Sequence, residues 1–243
     1  MIRKITYTII CLTILFFSGC KKSKCFKSTG KEVEFEQELG YFNEIELYDK
    51  INIVLVQDTI EKAIIRGGAN LVSFVSLQIN GGRLIVTDDN KCNYLRTYKR
   101  QLEVEIHFTD LNYIYYESSG IVSTKNTIQA NVLKIESVDG SQELNLEIEV
   151  DSLELQFGVG PGDINLSGYA NYSYCFLAGN GMINCEKLES KRFYVNNSGT
   201  GDITINADEA IGVELYHLGD VKYLGNPIIE YQKVTGKGEF GKK

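Results

Sequence analysis

Short runs of alternating apolar and polar residues dominate the chain after residue 35. Ile45 and Leu47 alternate with polar neighbours, and the same spacing recurs from Leu102 to Phe108. Successive side chains of a β-strand point to opposite faces, so a period of two predicts half-buried strands. No stretch keeps a helical period beyond two turns. The chain is therefore predicted to be all-β.

A repeat of about twenty residues runs through the second half of the chain. Its clearest copies are GPGDI, GNGMI and GTGDI, which begin at Gly160, Gly179 and Gly199. Weaker copies lie at Ser118–Val122 and Gly219–Val221. A short fixed period is typical of solenoids, in which each repeat buries its apolar side against its neighbours. The pattern predicts a parallel β-helix with coils of about twenty residues.

Each predicted coil holds a strand, a glycine-rich corner and a second strand. Inward apolar side chains are expected to stack into ladders with about 4.8 Å between rungs. Glycine is expected at the corners because a positive φ costs it little, and aspartate because its carboxylate accepts hydrogen bonds from corner amides. The corner residues that the repeat singles out are Gly162, Asp163, Gly181, Gly201, Asp202, Gly219 and Asp220.

The corners and both ends of the repeat region resemble the autotransporter-adhesin head-domain family (head GIN domain), a group of secreted bacterial proteins also classified as a domain of unknown function. The resemblance includes the closing motif Y-x-G-x-P at 223–227 and the opening F-x-E-I at 42–45. The segment at 90–98 is similar to a lipid-anchored subgroup. Membership implies a right-handed parallel β-helix akin to pectin-lyase-like folds, an adhesive role and no established catalytic residues.

The first twenty residues have the pattern of a bacterial lipoprotein signal. Arg3 and Lys4 precede an apolar run at 5–17, which is shorter than the roughly 20 residues that span a bilayer. The sequence FSGC then ends at Cys20 and resembles a lipobox, so Cys20 is predicted to carry lipid and to become the new N-terminus. The alternatives are a secretory signal cleaved nearby and an uncleaved anchor.

The sequence divides into four predicted parts. They are a signal peptide at 1–19, a lysine-rich lipidated tether at 20–34, a single β-helix domain at 35–230 with its clear repeats at 111–226, and a tail at 231–243 that is either frayed or a short closing strand. Several acyl chains hold a protein stably on a membrane, which predicts a cell-envelope location at the outer membrane. The lack of an acidic cluster after Cys20 favours its periplasmic face.

The net charge and the cysteine content limit the possible ligands, disulfides and metal sites of the protein. The formal net charge of −7 argues against nucleic-acid binding, which needs basic grooves. Cys25 and Cys92 lie outside the repeats and are predicted to form a disulfide in an oxidising compartment. Cys175 and Cys185 fall at inward positions of one coil, either as core thiols or as a second bridge. The cysteines and the two histidines show no recurring ligand spacing, so neither a metal nor a cofactor is predicted.

The corner aspartates also raise an enzymatic alternative. Stacked coils would place Asp202 and Asp220 one rung apart and Asp163 two rungs from Asp202, and carboxyl pairs at such separations serve glycosidases. A carbohydrate-active enzyme, a polysaccharide hydrolase or lyase, is therefore the alternative function. The role of corner acceptor is favoured, because the motif recurs whereas a catalytic site should occur once. His107 lies on the polar side of its strand and is expected to be a surface or structural residue.

Tyrosines are frequent in the repeat region. Those that the sequence suggests as candidates for binding are Tyr113, Tyr115, Tyr116, Tyr169, Tyr172, Tyr174 and Tyr194. Alternation turns about half of them outward, where their rings either stack on sugars or a protein partner or simply favour a strand surface. The sequence thus predicts a lipid-anchored, non-catalytic adhesion or interaction module with a carbohydrate or protein ligand. A purely structural envelope protein is a further alternative.

Overall fold

Short strands and long bent strands account for nearly all of the regular structure. The computed structural model describes residues 28–90, 102–139, 141 and 143–243. The strands are β1 (Glu32–Glu38), β2 (Glu44–Asp49), β3 (Asn52–Gln57), β4 (Lys62–Gly68), β5 (Val75–Asn80), β6 (Arg83–Asp88), β7 (Glu103–Phe108), β8 (Tyr113–Ser118), β9 (Val122–Thr124), β10 (Ile128–Ser137), β11 (Leu144–Phe157), β12 (Ile164–Leu177), β13 (Ile183–Asn197), β14 (Ile203–Leu215), β15 (Val221–Leu224), β16 (Ile228–Val234) and β17 (Phe240–Lys242). A short 3-10 helix lies at Val72–Phe74. The all-β prediction is confirmed, and among these described ranges no helix is long and apolar enough to cross a membrane.

From β10 onward each strand pairs in parallel with the equivalent strand of the next coil. Leu144 is in register with Ile164, Ile164 with Ile183, and Ile203 with Val221, so successive coils are offset by 20, 19 and 18 residues. Stacked parallel bridges of this kind build a β-solenoid of about six turns. The predicted β-helix and its period are confirmed.

Two parallel sheets enclose the core. Sheet A contains β6, β2, β8, the later halves of β10 to β14, and β16; sheet B contains β7, β3, β9, the early parts of β11 to β14, β15 and β17. The inner row of sheet B runs through Val104, Ile53, Val122, Leu144, Ile164, Ile183, Ile203 and Val221. All eight are at most 2% exposed. Burial of these stacked aliphatic side chains, at roughly 25 cal/mol per Å² of apolar surface, is the main stabilising contribution.

The long strands bend where they pass from sheet B towards sheet A. The parallel bridges of β10, β11 and β12 skip Asn131, Asp151 and Asn171 and resume on the far side. Polar residues suit such a bend because their backbone groups have left the ladder and their side chains face outward. The bend therefore sets one polar side chain per coil in a row on the outer surface.

The N-terminal coil does not stack in sequence order. Strands β2 and β3 lie between β6 and β7 on one side and β8 and β9 on the other. Glu44 is in register with Tyr113, an offset of 69 residues. The chain between them supplies β6 and β7, which form the neighbouring coil, and β4 and β5, which together with β1 form a cap. In that cap β5 pairs antiparallel with β6, and β4 pairs antiparallel with both β7 and β1.

The C-terminal tail adds a further coil. Strand β16 pairs in parallel with β14, and β17 pairs in parallel with β15. The predicted domain boundary at residue 230 falls inside β16, and residues 231–243 include the rest of that strand and all of β17.

Candidate functional site

The corner glycines form a column along the solenoid. A Cβ on Gly181 would overlap the carbonyl oxygen of Gly162, one on Gly201 that of Gly181, and one on Gly219 that of Gly201. None of Gly181, Gly201 and Gly219 has a positive φ. The expectation that a positive φ selects glycine is therefore wrong at these three positions. Glycine is needed because the preceding coil approaches too closely for any side chain.

The corner aspartates link each coil to the next. The Asp163 Oδ1 atom accepts a hydrogen bond from the backbone N–H of Met182 at 3.1 Å. Asp202 Oδ1 accepts from the N–H of Asp220, and Asp220 Oδ1 from that of Glu239, both at 2.8 Å. The register places Asp202 and Asp220 on adjacent rungs and Asp163 two rungs from Asp202. Each carboxylate is thus engaged as an acceptor for a corner amide of the following coil.

Two buried side chains close corners from the inside. The Asn197 amide donates to the carbonyl oxygen of Gly201 at 2.9 Å and accepts from the N–H of Gly199 at 3.0 Å. The Tyr116 hydroxyl donates to the carbonyl oxygen of Gly120 at 2.7 Å. Tyr116 is 1% exposed, so it does not belong to the outward tyrosines. Sequence reasoning missed Asn197, although both side chains bind a glycine carbonyl four residues ahead.

The predicted cysteine sites divide by position. Cys20, Cys25 and Cys92 lie outside the described residues, so lipidation and the Cys25–Cys92 disulfide stay predictions. Cys175 and Cys185 are both free and fully buried. Burial raises the pKa of Cys185 to about 12 and that of Cys175 well above its ordinary value. Of the two alternatives left open for this pair, the structure has core thiols, which are unreactive because the thiolate is disfavoured.

A charged cluster lies on the outside of sheet B near the cap. The two ring nitrogens of His107 contact Asp58 Oδ2 at 2.8 Å and Glu105 Oε1 at 3.0 Å. Glu105 also accepts from Arg66 at 2.8 Å and from Lys125 at 3.0 Å. Glu105 and His107 are only 5% and 8% exposed. Every member of the cluster has a partner of opposite charge or a hydrogen-bond donor, which is the arrangement that buried charges require.

Acid is expected to weaken the fold through Glu105. Burial alone would raise the pKa of this carboxyl, but hydrogen bonds from Arg66, Lys125 and His107 outweigh burial and hold the pKa at about 2, below its ordinary 4.5. A depressed pKa contributes stability that is present above pH 4.5 and lost as the pH falls towards 2. Urea unfolding at stepped pH should show the free energy of unfolding falling across this window, and less steeply in Glu105→Gln. Glu103→Gln, on the same strand but more exposed, is the control, and equal slopes for Glu105→Gln and the unchanged protein would contradict the assignment.

Three tyrosines form a stacked ladder on the outer surface of sheet A. The rings of Tyr174 and Tyr194 have centroids 6.1 Å apart at 24°, and those of Tyr194 and Tyr231 are 6.2 Å apart at 11°. Gly212 lies between Tyr194 and Tyr231 in the register, and a Cβ there would overlap the Tyr194 ring. The missing side chain lets two rings that belong to coils two rungs apart stack on each other.

Polar groups fix this tyrosine ladder in place. Glu214 accepts from the Tyr231 hydroxyl at 3.3 Å and from the Asn196 amide at 3.0 Å. Burial and the neighbouring Glu214 raise the pKa of Tyr194, so its hydroxyl stays neutral at physiological pH. Tyr231 is 42% exposed, and Tyr174 and Tyr194 are half-buried. The ladder is thus a row of aromatic rings with neutral hydroxyls on the outer surface of sheet A.

In the ranges that the structure describes, no group of three or more His, Cys, Asp or Glu side chains is placed to hold a metal ion. The arrangement defines a β-solenoid with stacked tyrosines and polar side chains on the outside of its coils. A family model with the description "Putative auto-transporter adhesin, head GIN domain" matches residues 41–227. The chain belongs to this family, which confirms the family resemblance of the sequence.

Solved structures of other bacterial proteins have the same architecture. A "putative adhesin" from Bacteroides fragilis is 25% identical, with a TM-score of 0.72 over 88% of this chain and 97% of that one. A "putative adhesin" and a "putative lipid binding protein" from Parabacteroides distasonis are 18% and 17% identical, with TM-scores of 0.68 and 0.67 over 88% and 89% of this chain and 98% of each of theirs. At 18% and 17% identity, the two Parabacteroides distasonis structures support the fold alone. No curated protein matches the chain at a significant level.

Proposed function

We propose that this chain is a lipid-anchored protein of the cell envelope, at the periplasmic face of the outer membrane, and that it acts as a non-catalytic adhesion module. Its binding surface is the tyrosine ladder of Tyr174, Tyr194 and Tyr231, and the stacking of these rings is the observation that carries the proposal. Tyrosine supplies a large, rigid, amphipathic contact surface at low cost in side-chain entropy. Membership in an adhesin family supports the same role.

The prior stacking of the rings favours binding. Each ring is already held by its neighbour, so little conformational freedom remains to be lost when a ligand docks. Aromatic faces can stack on a sugar ring or pack against a protein side chain. An extended ligand that lies along the solenoid axis would contact the rings in succession.

The corner carboxylates support a binding role over an enzymatic one. Asp163, Asp202 and Asp220 each accept a backbone N–H from the next coil, and this contact recurs from coil to coil. A general acid and a nucleophile need different environments that separate their pKa values. Three carboxylates in the same structural role do not meet that requirement.

The proposal is tested with the lipid-free mature protein on panels of polysaccharides and of immobilised proteins such as collagen. Tyr174→Ala combined with Tyr194→Ala should weaken the strongest interaction by about 10- to 100-fold, which corresponds to the loss of one or two buried aromatic contacts. Tyr115→Ala is the matched control, since Tyr115 contacts Tyr48 in a pair on the same sheet with centroids 5.7 Å apart. The control variant should bind normally.

Two results would overturn the adhesion role. One is equal binding by the ladder variant and the control. The other is the appearance of new reducing ends or unsaturated products from a polysaccharide, with loss of that cleavage in Asp163→Asn, Asp202→Asn or Asp220→Asn. Asp202→Asn should instead leave binding intact, because the amide oxygen still accepts the hydrogen bond.

A further inference from the structure

A second polar feature lies at the bend where β10, β11 and β12 pass from sheet B to sheet A. It is a groove of about 560 Å³, lined from three successive coils by Asn131, Asp151 and Asn171 together with neighbouring side chains. The register on both sides of the bend places these three residues at equivalent positions. Rungs of a parallel sheet are about 4.8 Å apart, so the groove presents one polar side chain at each step along the solenoid axis.

Hydrogen bonds within the protein orient the groove side chains. The Tyr169 hydroxyl donates to Asn171 Oδ1 at 2.8 Å, and Asn171 Nδ2 donates to Asp151 Oδ1 at 2.6 Å. Gln129 Nε2 donates to Glu149 Oε2 at 3.2 Å. Because these contacts already restrict the rotamers, a ligand that uses the same groups loses less entropy on binding.

The charge of the groove limits the ligands that fit it. Asp110, Glu149 and Asp151 bring three carboxylates to the lining, and within the described ranges none of them forms an ion pair with a basic side chain. Carboxylates in this state accept hydrogen bonds from hydroxyl or ammonium groups and repel anions. The half-buried Tyr169 adds an aromatic ring beside them.

We infer that this groove binds a saccharide chain without acidic groups. Sugar hydroxyls donate to the carboxylate oxygens of Asp151 and Glu149 and accept from the amide of Asn131, while a sugar ring packs against Tyr169. The spacing of one polar side chain per coil is comparable with the length of one sugar ring. The inference rests on the proposed adhesive function and names the ligand class. Strand β12 contributes Asn171 to the groove and Tyr174 to the tyrosine ladder.

The experiment measures the affinity of the lipid-free mature protein for a neutral β-glucan, a chitosan oligosaccharide and polygalacturonate by titration calorimetry. Binding to the neutral or amine-bearing chain and none to polygalacturonate is expected. Asn171→Ala removes the side chain that holds Asp151 and Tyr169 in place, so it should weaken that binding by about tenfold, the effect of losing about one hydrogen bond to the sugar. Asn165→Ala is the matched control: it lies on the same strand and likewise loses a side-chain hydrogen bond to the preceding coil, that from Asn165 Nδ2 to Asn145 Oδ1 at 2.9 Å, but it lies outside this groove.

Each outcome separates the groove from the tyrosine ladder. Binding to polygalacturonate alone, binding to none of the three saccharides, or equal affinities for Asn171→Ala and Asn165→Ala would overturn the inference. If the affinity for a saccharide or an immobilised protein falls only in the Tyr174→Ala, Tyr194→Ala variant, the inference fails while the proposed function stands. If the ladder variant binds every ligand as tightly as Tyr115→Ala, the proposed function fails, whatever the effect of Asn171→Ala. Circular dichroism of each variant checks that the fold is retained.

Discussion

Replacing Gly201 with valine is expected to destabilise the protein by about 3 kcal/mol or more, the range of severe overpacking. A Cβ at this position would overlap the carbonyl oxygen of Gly181 in the preceding coil. That oxygen belongs to the backbone, so it cannot move aside as a flexible side chain would. The same clash applies to Gly201→Ala, which should also lower stability, although alanine would tolerate any φ that an ordinary residue adopts.

The measurement is the midpoint of thermal or urea unfolding, followed by circular dichroism. For a chain of this size about 3 kcal/mol corresponds to a fall of about 6–12 °C in the melting temperature. Gly241→Ala is the control, because Gly241 has no positive φ and no atom lies within 4 Å of a Cβ built there. A melting temperature for Gly201→Ala that equals that of Gly241→Ala would show that the coils can separate locally and that close approach is not the reason for glycine.

The architecture of the second half was predictable because every coil repeats the same local pattern. GPGDI, GNGMI and GTGDI mark the corners, and the alternating residues on either side become the inner rows of sheets A and B. In a solenoid, contacts are made between neighbouring repeats, so a sequence period translates directly into a spatial one. The match of Ile164 with Ile183 and of Ile183 with Ile203 follows from the repeat alone.

The cap could not be predicted in the same way. Alternation predicted short strands in this part of the chain, but it carries no information about which strands pair. Strand β2 pairs with β8 across 69 residues, and β4 pairs antiparallel with β7. Neither pairing leaves a period in the sequence, because each combination of strands occurs once.

The candidate binding surfaces depend on register, and the sequence reveals register only in part. Alternation places Tyr174 and Tyr194 outward on successive coils. The contact of Tyr194 with Tyr231 depends on Gly212 and on an irregularity between Ile211 and Gly212 in the pairing with β16. A single shifted residue reverses the face on which a side chain lies, so such an irregularity defeats a prediction from spacing.

The environment of His107 shows the same limit for the charged cluster. Its place in an alternating strand indicates a polar side, and the structure buries it there between Asp58 and Glu105. Asp58 follows β3, whereas Glu105 lies on β7, so the two carboxylates meet only when those strands pair. Local spacing predicts the face of the strand on which His107 lies. It does not predict the residues that cover His107 on that face.

Replacing Cys20 with serine is expected to abolish lipidation and thereby either to release the protein from the membrane or to block its processing, which is the largest change predicted for localisation. A thiol is required for lipidation, and without acyl chains the protein should either remain unprocessed or be released.

The described chain begins at the cap, where Asn70 N–H donates to the Thr29 carbonyl at 3.0 Å and Ala69 N–H to that of Lys31 at 2.8 Å. Seven residues lie between Cys20 and Ser28, and the eight steps of an extended chain from one to the other span at most about 28 Å. A lipid on Cys20 would therefore hold the cap end of the solenoid close to the membrane.

Membrane fractionation and intact-mass measurement of the full chain test the lipid anchor, with Cys25→Ser as the matched control that should stay membrane-bound and acylated. Retention of Cys20→Ser in the membrane fraction with the same mass as Cys25→Ser would refute the lipid anchor, because each variant carries one Cys→Ser change and equal masses would mean equal modification.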